Sequence, residues 1–332
     1  MSQTIAPEKI IPAPRELSTK PRFSDRVFRG IVTSGGLSSL LILGLIFVFL
    51  AYQGYAVLRA EGFKFITGSA WEVVTDTSGN IDDSQTRFGL AAMLVGTVVC
   101  AFIAVLIALP LSVASAIFLT FYAPPFIKKV MVAVIDLMAA FPSILFGLWG
   151  FFVLMPSVEY WAKLLHKYFG FLPFFKMEVP VFTRSPFVAG VVLAVMIIPI
   201  ITSIAREIFS QTPLDRVQAA YALGATKWAM IRAVAIPYGR SGVVGGAMLG
   251  LGRAMGETVA VYTVLNIVYQ VNWHVLVGAG GNVASMILLR IGDAGPREVK
   301  ALMAAGLVLF LLTLLVNSIA DFIVKRTGGG GR

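Results

Sequence analysis

The chain has 332 residues, of which 58% are hydrophobic and only 13% are charged. Soluble domains carry about 25% charged residues, so this composition excludes a soluble globular protein and indicates a polytopic membrane protein. The net charge of +10 does not point to nucleic acid, because the basic residues stand mainly beside apolar segments, where they orient membrane helices. The single cysteine, Cys100, lies in an apolar run and excludes an intramolecular disulfide.

Six apolar stretches are each about 20 residues long or longer, which is the length that a helix needs to cross the hydrocarbon layer. They predict an all-α, polytopic transmembrane bundle of six spans at 34–57, 88–120, 127–155, 185–206, 240–266 and 300–324. The second span contains Pro110 and is overlong, so it should kink or tilt. The chain then divides into an N-terminal tail (1–30), a transmembrane domain (31–325) and a C-terminal tail (326–332).

The distribution of Lys and Arg predicts how these spans are oriented. The two tails, the turn at 121–126 with Lys128 and Lys129 after it, and the loop 207–239 carry more basic residues than the opposite loops. Under the positive-inside rule, both termini and the loop 207–239 lie in the cytoplasm. Residues 1–28 are polar and basic, so no signal peptide is expected.

The loop before the fifth span has the pattern of two short helices. Thr212 and Pro213 offer an N-cap followed by a proline at the first helical position. Gly224 can adopt the left-handed conformation that closes the first helix, and Thr226 can cap the second. The second helix should end or bend near Pro237, because proline lacks the N–H that a helix uses. A surface helix–turn–helix that leads into a charged span suggests a coupling device, and we call this segment the coupling loop.

The fifth predicted span carries charge at membrane depth. If the span starts near Arg240, Arg253 lies about 20 Å further in at 1.5 Å per residue, close to the bilayer midplane. An ion there costs roughly 2.5–3.5 kcal/mol on insertion scales. Arg253 and Glu257 stand four residues apart and can pair on one helix face. The pair is either structural, facing a neighbouring helix, or part of an aqueous path.

In the path interpretation, Arg253 offers its fork of N–H donors to an oxyanion. Glu257 then holds the guanidinium in place, and Thr258 adds a hydroxyl beside it. Asp136, in the third span, could pair with an arginine or line the same path, and Ser143, at a break in that span, is a further candidate lining residue.

Small residues in the fifth span predict close helix packing. Gly246 and Gly250 form one GxxxG pair, and Gly252 and Gly256 form another. Such pairs let two backbones approach closely, so they should face another helix of this chain or of a partner subunit.

Signals for catalysis are absent from the sequence. It has no GxxxxGK[ST] loop, so it should not hydrolyse ATP by the P-loop route. Its two histidines, His166 and His274, have no Cys or acidic neighbours at ligand spacing, so no metal site is expected. No Ser or Cys nucleophile stands in a recognisable elbow. The chain by itself is therefore not expected to be an enzyme.

The coupling loop resembles the EAA signature of ABC importer permeases, EAA-x3-G-x9-I-x-L-P. The matching positions are Gln218, Ala219, Ala220, Gly224, Val234, Ile236 and Pro237. Gln218 replaces the family glutamate, and Val-x-Ile replaces Ile-x-Leu, while the small alanine face and the glycine turn are kept. In the family this loop forms coupling helices seated in a groove of the ATPase, so the resemblance implies an ATPase contact at Gln218, Ala219, Ala220, Gly224 and Pro237.

The run GLGRAMGETVAV at 250–261 resembles the permease of the bacterial phosphate importer, Pst. Its Val-Ala-Val continuation resembles the PstC type rather than the PstA type. The runs at 107–124 and 141–154 are similar to the same family, and the resemblance covers roughly residues 30–325. It implies the type I ABC importer permease fold and a role as a transmembrane permease subunit of an ATP-driven phosphate importer in the bacterial inner membrane.

The resemblance also implies the partners. They are a homologous permease of the PstA type, two ATPases of the PstB type, an extracytoplasmic phosphate-binding protein of the PstS type and membrane lipid, with no nucleic acid. ATP and magnesium would bind in the ATPase, and no cofactor is expected in this chain. A permease for another oxyanion, molybdate or sulfate, would keep the coupling loop and differ in its path-lining residues. A stand-alone anion transporter would work without an ATPase.

Overall fold

Helices make up nearly all of the regular structure in the computed structural model, which describes residues 22–74, 86–177 and 182–327. The helices are α1 (Phe23–Glu61), α2 (Lys64–Thr67), α3 (Ala91–Ile117), α4 (Pro125–Ala140), α5 (Ser143–Trp149), α6 (Met155–Phe169), α7 (Pro186–Ser210), α8 (Leu214–Ala222), α9 (Lys227–Met230), α10 (Ile236–Gly256), α11 (Val259–Val264), α12 (Val283–Arg290) and α13 (Pro296–Thr327). Between them lie π-helical turns at Phe118–Tyr122, Gly150–Leu154 and Ile231–Ala235, and a 3₁₀ turn at Pro173–Phe175. The short strands β1 (Trp71–Glu72) and β2 (Arg87–Phe88) pair antiparallel.

The chain divides into two units, residues 1–49 and 50–332. In the first unit, the described residues form the N-terminal part of α1, and apolar side chains along it are exposed. Such a surface is suited to lipid rather than to water. The second unit contains the rest of α1 and every later element. Most of the two predicted tails lies outside the described residues.

Five helical segments of the described chain are long and apolar enough to cross a membrane, by length and composition. They are Phe23–Glu61, Ala91–Tyr122, Ser143–Phe169, Pro186–Ser210 and Pro296–Phe322. They confirm the prediction of an all-α polytopic membrane protein. The predicted count of six spans is not confirmed, because α10, which covers most of the fifth predicted span, does not belong to this set.

The third predicted span, 127–155, is interrupted in the structure. Helix α4 ends at Ala140, Phe141 is extended with a ψ of 136°, and α5 begins at Ser143. The cause is Pro142, whose ring disfavours the helical conformation of the residue before it. The long apolar segment therefore starts at Ser143 and continues through the π-helical turn into α6, rather than covering 127–155.

The expectation of one continuous helix over 240–266 is wrong. Helix α10 ends at Gly256, Glu257 is extended with a ψ of 128°, and α11 begins at Val259. The chain leaves helical structure again at Leu265. The fifth predicted span is therefore two helical pieces joined by a break at Glu257 and Thr258.

The packing of α3 against α7 forms the centre of the second unit. Ala101, Ala104 and Ala108 of α3 are buried, and this small-residue face brings the two helices close together. A methyl group at Gly190 of α7 would overlap Ile103 of α3. Ser112 of α3 also donates a hydrogen bond to the carbonyl of Ile198 in α7, with 3.1 Å between oxygen atoms.

Helix α10 packs on α7 through glycines. A methyl group on Gly242 would overlap Ile208, and one on Gly246 or Gly250 would press against α7, so close packing of this pair is confirmed. The second predicted glycine pair, Gly252 and Gly256, does not pack against another helix in this way. Nothing in the described chain lies within 4 Å of a methyl group built on Gly256, and only the Asn317 amide nitrogen approaches one on Gly252.

The two ends of this bundle hold different structures. At one end the coupling loop packs on the C-terminal ends of α3 and α7, in a cluster that includes Ala116, Phe209 and Ile231. At the other end the strands and α12 pack on the C-terminal end of α1 and the N-terminal ends of α3 and α13. Helix α7 runs between the two ends.

A buried polar network lies at the end opposite the coupling loop. The indole nitrogen of Trp71 donates to Glu298 Oε1 at 2.8 Å, and Arg290 Nε lies 3.1 Å from the same oxygen. The second contact is an ion pair without hydrogen-bond alignment, since Arg290 Nε has no hydrogen-bond partner in the described chain. Burial raises the pKa of Tyr269 beside this pair, against the opposing effect of Arg290.

Candidate functional site

The break between α10 and α11 is held by side chains at the start of α12. Asn282 Nδ2 donates to the carbonyl of Glu257 at 2.7 Å, and Ser285 Oγ donates to the carbonyl of Thr258 at 2.8 Å. Carbonyls at the end of a helix lack intrahelical partners and need others when they are buried. Asn282 also caps α12 by accepting from Ser285 N at 2.7 Å. The interruption is therefore a specified structure and not a frayed helix end.

Glu257 takes part in this break through its side chain as well. The residue is buried, with 8% of its surface exposed. Its Oε1 accepts from Ala260 N at 3.4 Å, in the first turn of α11, where backbone N–H groups lack intrahelical partners. The predicted pairing with Arg253 is wrong, because α10 ends between the two residues and no ion pair joins them in the described chain.

Arg253 is an exposed cation on the last turn of α10. Gly250, three residues earlier, lies against Ile197 and Ile201 in the middle of α7, so Arg253 follows about midway along the bundle. No carboxylate of the described residues lies within ion-pair distance of its guanidinium. The structure therefore leaves this charge without an acidic partner among the described residues.

The other predicted path residues lie on neighbouring elements. Asp136 is exposed on α4, and α4 packs on α7, as α10 does. Asp136 forms no ion pair with Arg253 or another residue of the described chain. Ser143, half-buried, is the first residue of α5, which packs against α11. Thr258 donates its hydroxyl to the carbonyl of Gly256 at 3.3 Å. In the described chain, no hydrogen bond or ion pair joins Asp136, Ser143, Arg253 and Thr258 into one cluster.

The turn of the coupling loop has the predicted geometry. Gly224 has a φ of +79°, in the left-handed region, and its N–H donates to the carbonyl of Tyr221 at 2.9 Å. Ala225 N donates to the carbonyl of Ala220 at 3.1 Å. These two bonds form the Schellman motif that closes α8. Thr226 Oγ1 accepts from Ala229 N at 3.2 Å, so the predicted cap of the second helix is confirmed.

Two local predictions for the coupling loop need correction. Thr212 does not cap α8: its hydroxyl donates to the carbonyl of Phe209 at 2.8 Å and closes α7, while Pro213 precedes α8 without a side-chain bond. The second helix does not end at Pro237. A π-helical turn, closed by Ile236 N donating to the carbonyl of Ile231, absorbs the irregularity, and helical structure continues into α10.

The coupling loop presents an unusual surface for a segment outside the long apolar helices. Gln218, Ala219, Gly224 and Pro237 are exposed, and Ala220 is half-buried against the cluster below. Large apolar side chains surround them: Leu214, Leu223 and Trp228 are 74%, 88% and 55% exposed. A patch of this kind is typical of a surface that binds another protein.

No pattern in the sequence singles out one further basic residue, Arg184. It stands just before α7, at the end of the bundle opposite the coupling loop. Its guanidinium donates to Asn266 Oδ1 at 3.0 Å and lies 5.0 Å from the ring centre of Phe151. The two partners are 33 positions before and 82 positions after it in the sequence, so only the fold brings them together.

Comparison with known proteins gives a consistent result. The family model described as "Binding-protein-dependent transport system inner membrane component" matches residues 108–329. The chain is 42% identical to the phosphate transport system permease protein PstC 2 of Mycobacterium tuberculosis, over 91% of this chain and 92% of that protein. It is 39% identical to the phosphate transport system permease protein PstC of Mycobacterium leprae, over 94% and 95% of the two chains.

A solved structure is similar as well. It is described as inward facing conformations of the MetNI methionine ABC transporter, and its matched chain shares 20% identity with a TM-score of 0.48, over 72% of this chain and 94% of that one.

The matches to the PstC relatives cover more than nine-tenths of this chain and of each relative. The region matched by the family model includes the coupling loop, the break and α13. The relatives are named as permeases and inner membrane components of transport systems, and five described helices could cross a membrane, so this chain is a multi-pass membrane permease, a transport component and not by itself a catalytic enzyme. The chain belongs to the family of binding-protein-dependent transport system inner membrane components, among the PstC-type permeases.

Proposed function

We propose that this chain is one permease half of an ATP-driven phosphate importer. The observation that carries the proposal is Arg253, an exposed cation halfway along the bundle without an acidic partner in the described chain. An ion at that depth costs roughly 2.5–3.5 kcal/mol. The relatives named phosphate transport system permease support phosphate as the anion that offsets this cost.

The chemistry of phosphate fits a lone guanidinium in the path. Phosphate carries roughly one to two negative charges at neutral pH, and moving it through an apolar layer without a counter-charge is prohibitive. The planar fork of Arg253 can donate two parallel hydrogen bonds to its oxygens. Because Glu257 is bound to the backbone of α11, the guanidinium is left for the anion. Asp136, Ser143 and Thr258 remain candidates for lining the same path.

Energy would enter through the coupling loop. In our proposal, ATPases of the PstB type seat α8 and α9 in a groove, using the exposed apolar side chains around Gly224. The helical run from Lys227 to Gly256 then transmits their movement, because α9, the π-helical turn and α10 follow one another without a gap. Trp228 and Arg253 stand at opposite ends of this run, roughly 35–40 Å apart at 1.5 Å per residue.

The remaining partners complete the proposal. A homologous permease of the PstA type would supply the other half of the path, and its closest approach would use the open face of α10 at Gly252 and Gly256. A PstS-type protein would deliver phosphate at the end opposite the coupling loop. ATP and magnesium would bind in the ATPase. Both termini and the coupling loop would lie in the cytoplasm of the inner membrane.

The test is ATP hydrolysis by the assembled complex. The chain is co-expressed with its neighbouring genes, purified with whatever ATPase it retains, and reconstituted in lipid with the binding protein. We expect hydrolysis to rise with phosphate and not with sulfate or molybdate. Stimulation by one of these other oxyanions would keep the architecture and replace the substrate. Failure of any ATPase to co-purify would overturn the proposed mechanism.

A further inference from the structure

A cavity of about 450 Å³ lies at the end of the bundle opposite the coupling loop. Its walls come from α5 and the turn after it, from α11 and the residues that follow it, and from α12. The side chains with polar groups on this wall are Arg184, Tyr262, Thr263 and Asn266, and the others are apolar. Among the described residues, the wall contains one cation and no carboxylate, so the cavity favours an anionic ligand.

The backbone of Arg184 is in a conformation that its residue type rarely adopts. Its φ of +51° lies in the left-handed region, which a long side chain without local hydrogen bonds occupies at a cost. The structure on its C-terminal side holds it there. Ser185 caps α7 by accepting from Val188 N at 3.4 Å, and Phe187 N donates to the carbonyl of Val275 at 2.9 Å. Strain of this kind is concentrated at functional sites.

The guanidinium of Arg184 is held in place, but most of its hydrogen-bond donors have no partner among the described residues. One of its five N–H groups donates to Asn266 Oδ1 at 3.0 Å, and its plane is near the ring of Phe151. No carboxylate of the described residues lies within ion-pair distance of it. The aromatic ring and the amide thus fix the side chain and leave the other N–H groups of the guanidinium available to a ligand in the cavity. An oxyanion site requires this arrangement.

In the chain, α11 lies between the cavity wall and Arg253. Tyr262 and Thr263 in the wall belong to its last turn, and Arg253 precedes its first residue across the break. Helix α11 has six residues, which corresponds to roughly 9 Å of helix. The cation that precedes this wall along the chain is Arg253, on the last turn of α10 beyond the break.

We propose that this cavity binds a tetrahedral oxyanion at Arg184 before the anion reaches Arg253. The proposal rests on the function proposed above and adds an entry site to the path. The phosphate group could come from inorganic phosphate delivered for import or from the headgroup of a membrane phospholipid. Both present the same oxygens to the guanidinium, and the experiment separates them.

The test uses Arg184 variants of the complete complex in proteoliposomes with the binding protein. Wild-type protein is first assayed with phosphate, sulfate and molybdate, and the oxyanion that stimulates hydrolysis is used for the rest. We expect Arg184→Gln to lower radiolabelled anion uptake by about tenfold or more, because a charge-assisted contact is lost. Arg184→Lys should be intermediate, because lysine keeps the charge without the fork.

Two further variants separate charge from backbone effects. Arg184→Gly relieves the left-handed conformation and removes the guanidinium, so it should be as impaired as Arg184→Gln if the charge matters. Arg59→Gln is the matched control, since Arg59 is exposed on the last turn of α1 at the same end and lies outside this cavity. It should transport and hydrolyse ATP as the wild type does. Size-exclusion chromatography checks that every variant retains its ATPase.

The phospholipid retained by each detergent-purified variant is measured in parallel. Reduced uptake with unchanged phospholipid supports the site and assigns it to the imported anion. Unchanged uptake with less bound phospholipid would show that the cavity holds a lipid headgroup, and it would overturn the role of Arg184 as an entry site. The proposal is wrong if Arg184→Gln keeps wild-type anion uptake and wild-type bound phospholipid. It is also wrong if Arg184→Gly restores the uptake that Arg184→Gln has lost. Neither of these results would affect the phosphate-stimulated hydrolysis on which the proposed function depends.

Discussion

The positive charge of Arg253 is retained on an exposed face of α10 without a carboxylate partner in the described chain. A buried ion pair would have neutralised the charge but would also have occupied the donors of the guanidinium. Exposure keeps them available, so the energetic cost of placing a charge at this depth is offset only when an anion is present. This is the behaviour expected of a residue in a transport path.

We expect Arg253→Ala to lower phosphate uptake by at least about tenfold, because a charge-assisted contact to the anion is lost. The assembled complex should still purify with its ATPase, since Arg253 makes no ion pair within the described chain. Uptake of radiolabelled phosphate in proteoliposomes gives the measurement. Arg253→Lys should retain part of the activity, and Arg59→Ala serves as the control at an exposed arginine. Near wild-type uptake in Arg253→Ala would remove this residue from the path.

The sequence could identify Arg253 but could not reveal what Glu257 does. A spacing of four residues predicts a pair only if the helix continues between them. Here the helix is interrupted, and the groups that hold the interruption, Asn282 and Ser285, come from about 25 residues further along the chain. Arg184 was missed for a related reason, since its partners Phe151 and Asn266 are brought to it by tertiary packing.

At the scale of single elements, the coupling loop depends on the left-handed turn at Gly224. A side chain in this conformation costs roughly 1–2 kcal/mol, and asparagine tolerates it better than a β-branched residue does. Nothing in the described chain would touch a methyl group there, so backbone strain is the main effect of substitution. The geometry of α8 relative to α9 should therefore respond to the identity of this residue.

We expect Gly224→Val to reduce ATPase retention during purification or stimulation of hydrolysis, and Gly224→Asn to do so much less. The exposed Gly292, which has open space around it and no left-handed φ, provides the matched control as Gly292→Val. All three variants are purified with the co-expressed ATPase, and the subunit ratio and the stimulated hydrolysis rate are measured. Normal values for Gly224→Val would contradict a coupling role for this turn.

The N-terminal end of α3 depends on a different glycine. A methyl group on Gly96 would overlap the carbonyl oxygen of Gly281, and Thr97 Oγ1 accepts from Val283 N at 3.1 Å beside it. Overpacking at such a contact costs typically 1–3 kcal/mol. This backbone approach joins α3 to the segment that leads into α12.

Gly96→Ala should therefore lower the midpoint of thermal unfolding of the purified protein. Gly44→Ala, in α1, has open space around the added methyl group and should be neutral or slightly stabilising, because alanine favours a helix over glycine. Thermal unfolding in one detergent, followed by intrinsic fluorescence, compares the two. Equal midpoints for both variants would show that the Gly96 contact relaxes without cost.

The elements were more predictable than their ends. Long apolar runs located the helices because the need to satisfy backbone groups in lipid leaves few alternatives to helices. The break before Ser143 was visible in the sequence, since Pro142 forces it locally. The break at Glu257 was not, because no proline marks it and its stabilising contacts are distant. The π-helical turn before Pro237 was likewise invisible to a local pattern.

At the scale of the whole molecule, the two ends of the bundle should face opposite sides of the membrane. The positive-inside rule places the coupling loop in the cytoplasm, and the cavity beside Arg184 lies at the other end of α7. This orientation stays a prediction, because hydropathy and packing do not distinguish inside from outside. It also decides which end can receive a binding protein.

Two single-cysteine variants test the orientation of the bundle in the membrane directly. The one native cysteine, Cys100, is buried and can be replaced by alanine. Phe126 and Phe171 are each 79% exposed and stand near opposite ends of the bundle. In cells with a permeabilised outer envelope, a membrane-impermeant maleimide should label Phe171→Cys and should reach Phe126→Cys only after the inner membrane is disrupted. The reverse labelling would invert the proposed topology.

Helix α12 joins two buried networks that were described separately. Its first residues, with Asn282 before them, hold the carbonyls of the break, and its last residue, Arg290, meets the carboxylate that Trp71 also binds. The helix has eight residues, a rigid length of roughly 12 Å. We expect a displacement of the strands at this end to reach the break near Arg253 through α12, because the helix contacts both. A protein that binds these strands would then alter the break without contacting it directly.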